Sequence, residues 1–277
     1  MRNIIIAILL LLVVALSFTS CTEEPSAEEI ADSAIAAQEE IQTYQFELDM
    51  TMDTTIESAD GSYEQNVTMK TDGGLDLENQ QMKFSMVVDG GDEGVGVTEA
   101  YVTDGMLYSK TGLVGEEAMW TKEESLPEGW AKATLLSGYD TYQELLKTAQ
   151  VEVIDSEKVK GVDCYVLQLT PDLAQLFRTA TDPSGGVGAG GRVPPMPEEF
   201  VEDIFTSYSV KIWIAKDDYF LMKAELDVAV ETTPELMEYI GDEGEISMDI
   251  TIVYFAYDFN EPVTIELPPE AEDAIEM

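Results

Sequence analysis

From residue 44 onward the chain alternates apolar and polar positions. Tyr44, Phe46, Leu48, Met50 and Met52 interleave with Gln45, Glu47, Asp49, Thr51 and Asp53, a period of two that puts the first set on one face of a half-buried antiparallel strand. The same alternation returns through Val67 and Met69, through Leu75 and Leu77, and through Met82, Phe84, Met86 and Val88. Between these runs, Asp72-Gly73-Gly74, Asp89-Gly90-Gly91-Asp92, Asp104-Gly105 and Lys160-Gly161 have the composition of hairpin turns. Ahead of the first strand the period is helical. Ile30, Ala34, Ala37 and Ile41 share one face, and Ser26-Ala27-Glu28-Glu29 has the form of a capping box, which predicts a helix over 27–42. Leu135, Leu136, Tyr139, Tyr142, Leu145 and Leu146 recur at helical spacing and predict a second helix within 130–149, covering one face of the sheet.

Strand patterns resume over 151–154 and 164–169, followed by a short helix over 171–179 that starts with Pro171. The Gly- and Pro-rich stretch 182–197 has no apolar period and is expected to be a loop. Strands over 208–214, 219–231, 245–257 and 264–267 complete the chain. The fold class is α+β, mainly antiparallel β: one long up-and-down sheet with a few helices over it, in a single domain from residue 26 to residue 277. A sheet of this length must curl around something apolar.

The first residues have a different purpose. Met1-Arg2-Asn3 precedes an apolar run over 4–16 and then Ser17-Phe18-Thr19-Ser20-Cys21. One positive charge, a short apolar core and small residues before the break match a secretion signal; a membrane span needs about 20 apolar residues. Phe18-Thr19-Ser20-Cys21 resembles the lipobox of lipoproteins, with phenylalanine where leucine is usual. That likeness implies cleavage after residue 20 and a lipid on Cys21. An uncleaved anchor, and cleavage nearby with Cys21 incidental, are the alternatives, and each takes the rest of the chain out of the cytoplasm. Residues 22–25 form a tether that spans at most about 15 Å, so the folded part starts close to the membrane.

Composition narrows the chemistry. The chain has 14 basic and 56 acidic residues, a net charge of −42, with 45% hydrophobic residues. This describes a folded domain with an acidic skin, and such a field repels nucleic acid. There is no histidine, which removes Ser-His-Asp and Cys-His catalysis and the common histidine-containing zinc sites. With Cys21 lipidated, Cys164 is the one thiol left and no internal disulfide forms. Acidic turns such as Asp89, Asp92 and Glu93 offer carboxylate oxygens that could hold calcium but lack the EF-hand spacing, and are expected to be solvated turns. No metal and no cofactor is expected.

Several short motifs occur in a telling order: the lipobox, a helix leading into Tyr44-x-Phe46, Asp104-Gly105-Met106-x-Tyr108, Trp120-x-Lys122, Gly161-Val162-x-Cys164-Tyr165-Val166-Leu167, Trp213-Ile214-x-x-Asp217, and Phe259-Asn260-Glu261-Pro262-Val263-x-Ile265-x-Leu267-Pro268. In this order the chain resembles the LolA/LolB and LppX/LprG superfamily of secreted lipoproteins and lipoprotein carriers. The resemblance implies a strongly curved antiparallel sheet of about eleven strands, an open half-barrel partly lidded by helices. It also implies a concave face that holds acyl chains or lipidated anchors.

Phe46, Leu48, Met50, Met52, Met69, Met82, Phe84 and Met86 are the candidate lining of such a cavity, since flexible thioethers adapt to variable apolar ligands. A plain filled core is the competing account of the same stripe. Two functions follow from the two readings. One is a membrane-anchored, non-catalytic carrier or chaperone for a lipid, glycolipid or lipidated segment at the outer face of the cytoplasmic membrane or the cell surface. The other is an anchored sensor or protein-interaction module with a filled core.

Overall fold

The computed structural model describes residues 24–58, 61–91, 94–124, 139–172, 203–233, 236–237 and 244–276. Cys21, the expected helix over 171–179 (from residue 173 on) and the loop over 182–197 lie outside the described residues, as do Asp92 and Glu93. Helix α1 (Ala27–Ala37) opens with the expected capping box: Ser26 accepts from the Glu29 backbone, and the Glu29 carboxylate accepts from the Ser26 backbone at 2.8 Å. The helix stops earlier than its apolar period. A single 3-10 turn (Gln38–Glu40) takes up the next residues, and Ile41, already extended, turns the chain into the sheet. Helix α2 (Tyr139–Thr148) is the second described helix.

Six strands precede α2: β1 (Thr43–Ser58), β2 (Gly61–Asp76), β3 (Gln81–Asp89), β4 (Val95–Thr103), β5 (Met106–Leu113) and β6 (Thr121–Glu124). Six follow it: β7 (Gln150–Val159), β8 (Val162–Thr170), β9 (Phe205–Ala215), β10 (Leu221–Glu231), β11 (Glu245–Tyr257) and β12 (Ile275–Glu276). They form one sheet in the order β12-β6-β5-β4-β3-β2-β1-β11-β10-β9-β8-β7. All neighbours are antiparallel except the two-residue β12, which runs parallel to β6. The sheet is an unclosed half-barrel.

Packing shows why it must curve. Val102 on β4 and Leu169 on β8 belong to one buried cluster that also takes Ile30, Ala31 and Ala34 from α1 and Tyr139, Tyr142, Leu145 and Leu146 from α2. Seven strand spacings separate β4 from β8, about 33 Å in a flat sheet at roughly 4.8 Å each. Two helices, each about 10 Å across, cannot fill that width. The two wings therefore roll inward onto the helices.

Tight turns sit where the sequence places them at Asp104-Gly105 and Lys160-Gly161, with all four residues at positive φ, as a two-residue hairpin requires. Asp72-Gly73-Gly74 is not a turn. β2 runs straight through it, and the glycines answer to close approach. A Cβ on Gly73 would lie 2.5 Å from the Lys83 carbonyl oxygen and 2.6 Å from the Phe46 ring, and one on Gly74 would lie 2.8 Å from Val263.

The Val263 contact belongs to a strap. After β11 the chain leaves the sheet and crosses its outer face. Asn260, at φ 58°, fixes the departure: its backbone N–H donates to Thr43, its side-chain oxygen accepts from the Gln42 N–H at 2.7 Å, and its amide nitrogen donates to the Glu40 carbonyl. Farther along, Leu267, Ala271 and Ala274 pack with Trp120, Tyr101 and Tyr108. Residues 264–267 are thus part of this strap and not a strand, and the chain rejoins the sheet only at β12.

Gly73→Ala is expected to destabilise the fold by about 1–3 kcal/mol through overpacking. Gly96→Ala, where the nearest atom to the new Cβ is 3.8 Å away, should change stability little. Urea unfolding of the two variants checks this, and equal midpoints would contradict it.

Candidate functional site

Register divides the sheet into two faces with different chemistry. Residues opposite Phe46 are Gly73 and Ala256, and those opposite Leu48 are Thr71 and Tyr254. The rows continue outward. Leu48 leads through Tyr254 and Ala224 to Ile212 and Leu167, while Met50 leads through Ile252 and Leu226 to Val210 and Leu169. Above these, Met52 stands level with Val67 on one side and with Ile250 and Val228 on the other. All of these positions alternate onto the inner, helix-facing side.

The inner side changes character along its height. Phe46, Met82 and Phe84 are buried in the main cluster beneath the helices. Leu48 and Met86 are half-buried and pack against it. Met50, Met52 and Met69 are half-buried and fall outside it, together with Val67, Val228, Ile250 and Ile252. The eight residues expected to line a cavity therefore share one face, with its lower end filled by the helices and its upper end partly open.

Charge is sorted between the faces. The inner positions of β1, β2, β3, β4, β9, β10 and β11 hold no charged residue. Strand lysines Lys70, Lys83, Lys110, Lys122, Lys211 and Lys223 all alternate outward. On the outer side lysines lie over rings: Lys160, in the turn after β7, sits 3.9 Å from the Tyr257 centroid and pairs with Glu47 at 3.1 Å, and Lys223 sits 4.1 Å from the Trp213 centroid. Such stacking holds a cation against an aromatic face while its head stays wet.

The outer face also carries a polar recess of 270 Å³ bordered by Asp72, Lys83, Ser85, Glu99, Tyr101 and Tyr257. Its phenols are engaged: Tyr101 donates to Glu99 at 3.0 Å and Tyr257 to Glu47 at 2.9 Å. Burial first, and then these carboxylates, push both phenols up to about 12. Of the eight expected lining residues, Phe84 alone borders this recess. The backbone of the sheet separates the recess from the apolar inner rows.

One inner-side residue has no counterpart in the sequence expectations. Gln143 on α2 is only 1% exposed, a polar residue set within the apolar face of that helix. Its position between Tyr139, Tyr142 and Leu146 on the helix face is the signal that could have revealed it.

Residues 26–172 match a family described as a family of unknown function, DUF6612, over more than half of the chain. The chain belongs to that family. No curated protein matches it. Among solved structures it is similar to the lipoprotein LppX of Mycobacterium tuberculosis, at 13% identity and a TM-score of 0.41, covering 87% of this chain and 98% of that one. It is also similar to a putative outer membrane lipoprotein-sorting protein domain of Vibrio parahaemolyticus, at 14% identity and a TM-score of 0.22, covering 86% and 94%. A third is the MucA/MucB complex of Pseudomonas aeruginosa, at 12% identity and a TM-score of 0.33, covering 88% and 62%. The first two are the kinds of protein that the sequence motifs resemble. Overlaps this loose carry nothing about function, which has to come from the DUF6612 chain itself.

The raised phenols give an alkaline signature. Unfolded tyrosines ionise near 10, so above that pH the unfolded chain loses protons that folded Tyr101 and Tyr257 keep. Their contribution to stability is complete below pH 10 and is lost as pH rises to about 12. Urea midpoints should fall across that window, and less steeply in Tyr257→Phe; a flat profile would contradict the assignment.

Proposed function

We propose that this protein is a non-catalytic extracytoplasmic lipoprotein, anchored through Cys21, that holds an apolar acyl chain along the upper inner rows of its half-barrel as a carrier or chaperone. One observation carries the reading. In a chain with 14 basic and 56 acidic residues, seven neighbouring strands keep every charge off their inner face, including rows that the described core leaves half-exposed. A face open to water gains nothing from such exclusion, whereas a face that receives hydrocarbon gains about 0.8 kcal/mol per methylene buried. Met50, Met52 and Met69 add adaptable contacts at the open end.

The filled lower half favours a second reading, an anchored interaction or sensor module with no cargo. Native mass spectrometry of the chain bearing C21A, followed by organic extraction, separates the two. A stoichiometric acyl species supports the carrier, and an unliganded mass that persists after incubation with host lipid extract supports the module. Met52→Asp, which places a carboxylate in the open row, should weaken acyl binding at least tenfold and shift the melting temperature by only a few degrees, because the site is half-exposed. Undiminished binding would remove the upper rows from the site.

A further inference from the structure

Gln143 is almost fully buried, and both its amide oxygen and its amide nitrogen lack a hydrogen-bond partner. A primary amide offers two donors and an acceptor with two lone pairs. Leaving all of them unmatched in a dry interior is costly, and such groups in folded proteins call for an explanation. Leucine or methionine would fill the same space at no such cost. The surroundings are dry: burial pushes the phenol of neighbouring Tyr142 well above its ordinary value.

The place of Gln143 in the fold points to what it serves. At the start of α2, Tyr139 lies 5.4 Å from Tyr44, on the lowest inner row. One turn later, Tyr142 lies 5.4 Å from Tyr254, which is level with Leu48. Just beyond the end of the helix, Val151 pairs with Leu169, level with Met50. Helix α2 thus runs from the level of Tyr44 towards the level of Met50, and Gln143, beside Tyr142, lies near the level of Leu48, where β1 passes from buried Phe46 to half-buried Leu48 and Met50. That is the floor of the apolar rows.

We infer that Gln143 binds the polar end of an acyl ligand seated on those rows, and that this end is uncharged and carries both a carbonyl and a hydroxyl or N–H group. The inference rests on the acyl-holding reading above and adds the class of ligand. An amide satisfies a carbonyl with its nitrogen and a hydroxyl with its oxygen. A carboxylate would use only the donors, and it would find no cation on the inner positions of the seven neighbouring strands.

The test compares three probes on the full chain bearing C21A, with and without Q143L: 1-monopalmitoylglycerol, palmitate at pH 8, and hexadecane delivered from cyclodextrin. The unsubstituted site is expected to prefer monopalmitoylglycerol to both others. Q143L should cut that affinity at least tenfold, leave hexadecane unchanged, and melt no lower than the parent when ligand-free, since it removes an unmatched buried amide. If Q143L binds monopalmitoylglycerol as tightly as the parent, or if palmitate binds best, the inference falls while the acyl-holding reading stands. If none of the three binds the parent, that reading itself falls. Should Q143L unfold, Q143M supplies the same comparison with a more flexible side chain.

Discussion

The structure depends on the contact between Phe46 and Gly73 at the middle of the sheet. β1 is flanked on both sides by its longest pairings, and Phe46 is fully buried on it. Its ring occupies the volume that any side chain at position 73 would need. With that row thinned to a ring, a glycine and the small Ala256 opposite, α1 and α2 can approach the sheet closely enough to share one cluster with both wings. A bulkier residue would hold the helices off and leave the wings without an inner surface to roll onto. The filled lower half and the open upper half both follow from this packing.

Separation of charge makes the two halves compatible with water. A net charge of −42 opposes self-association but penalises any acid trapped inside. The strands resolve the conflict through their period of two: acids and lysines fall outward, where Lys160, Glu47 and Tyr257 form a connected set. The strap formed by residues 263–274 lies across this outer face and pins Trp120 and Tyr101 beneath it. The inner face is left with apolar contact as its main currency, and Gln143 is the exception on the helix above it.

Features set by a local period were legible in the chain. The run from Tyr44 to Met52 declares a strand and its inner face without reference to any partner, and Ser26 with Glu29 declares the start of α1. The turns at Asp104-Gly105 and Lys160-Gly161 are local in the same sense. Gly73 and Gly74 were not legible, because a pair of glycines after an aspartate serves a turn or a close approach equally well. What decides between them is a phenylalanine 27 residues earlier and a valine 189 residues later, neither of which touches them in sequence. Residues 264–267 alternate like a strand for a related reason: one side of the strap faces the sheet and the other faces water, so the period is two although no ladder forms.

The site was legible in its surface and not in its depth. Alternation identifies which methionines share the inner face, but their exposure depends on how far the helices reach, a tertiary distance that no single strand encodes. Met82 and Met50 have the same pattern in sequence, yet the first is fully buried and the second is half-exposed. Gln143 shows the same limit from the polar side. The helical period sets Gln143 among Tyr139, Tyr142 and Leu146, but the weight of that signal depends on the opposite wall, since an exposed amide costs nothing and an unmatched buried one costs more than a typical surface contact returns. Its meaning comes from Tyr142 meeting Tyr254, which fixes the side of the helix that faces the sheet and so places the amide at the boundary between filled and open rows.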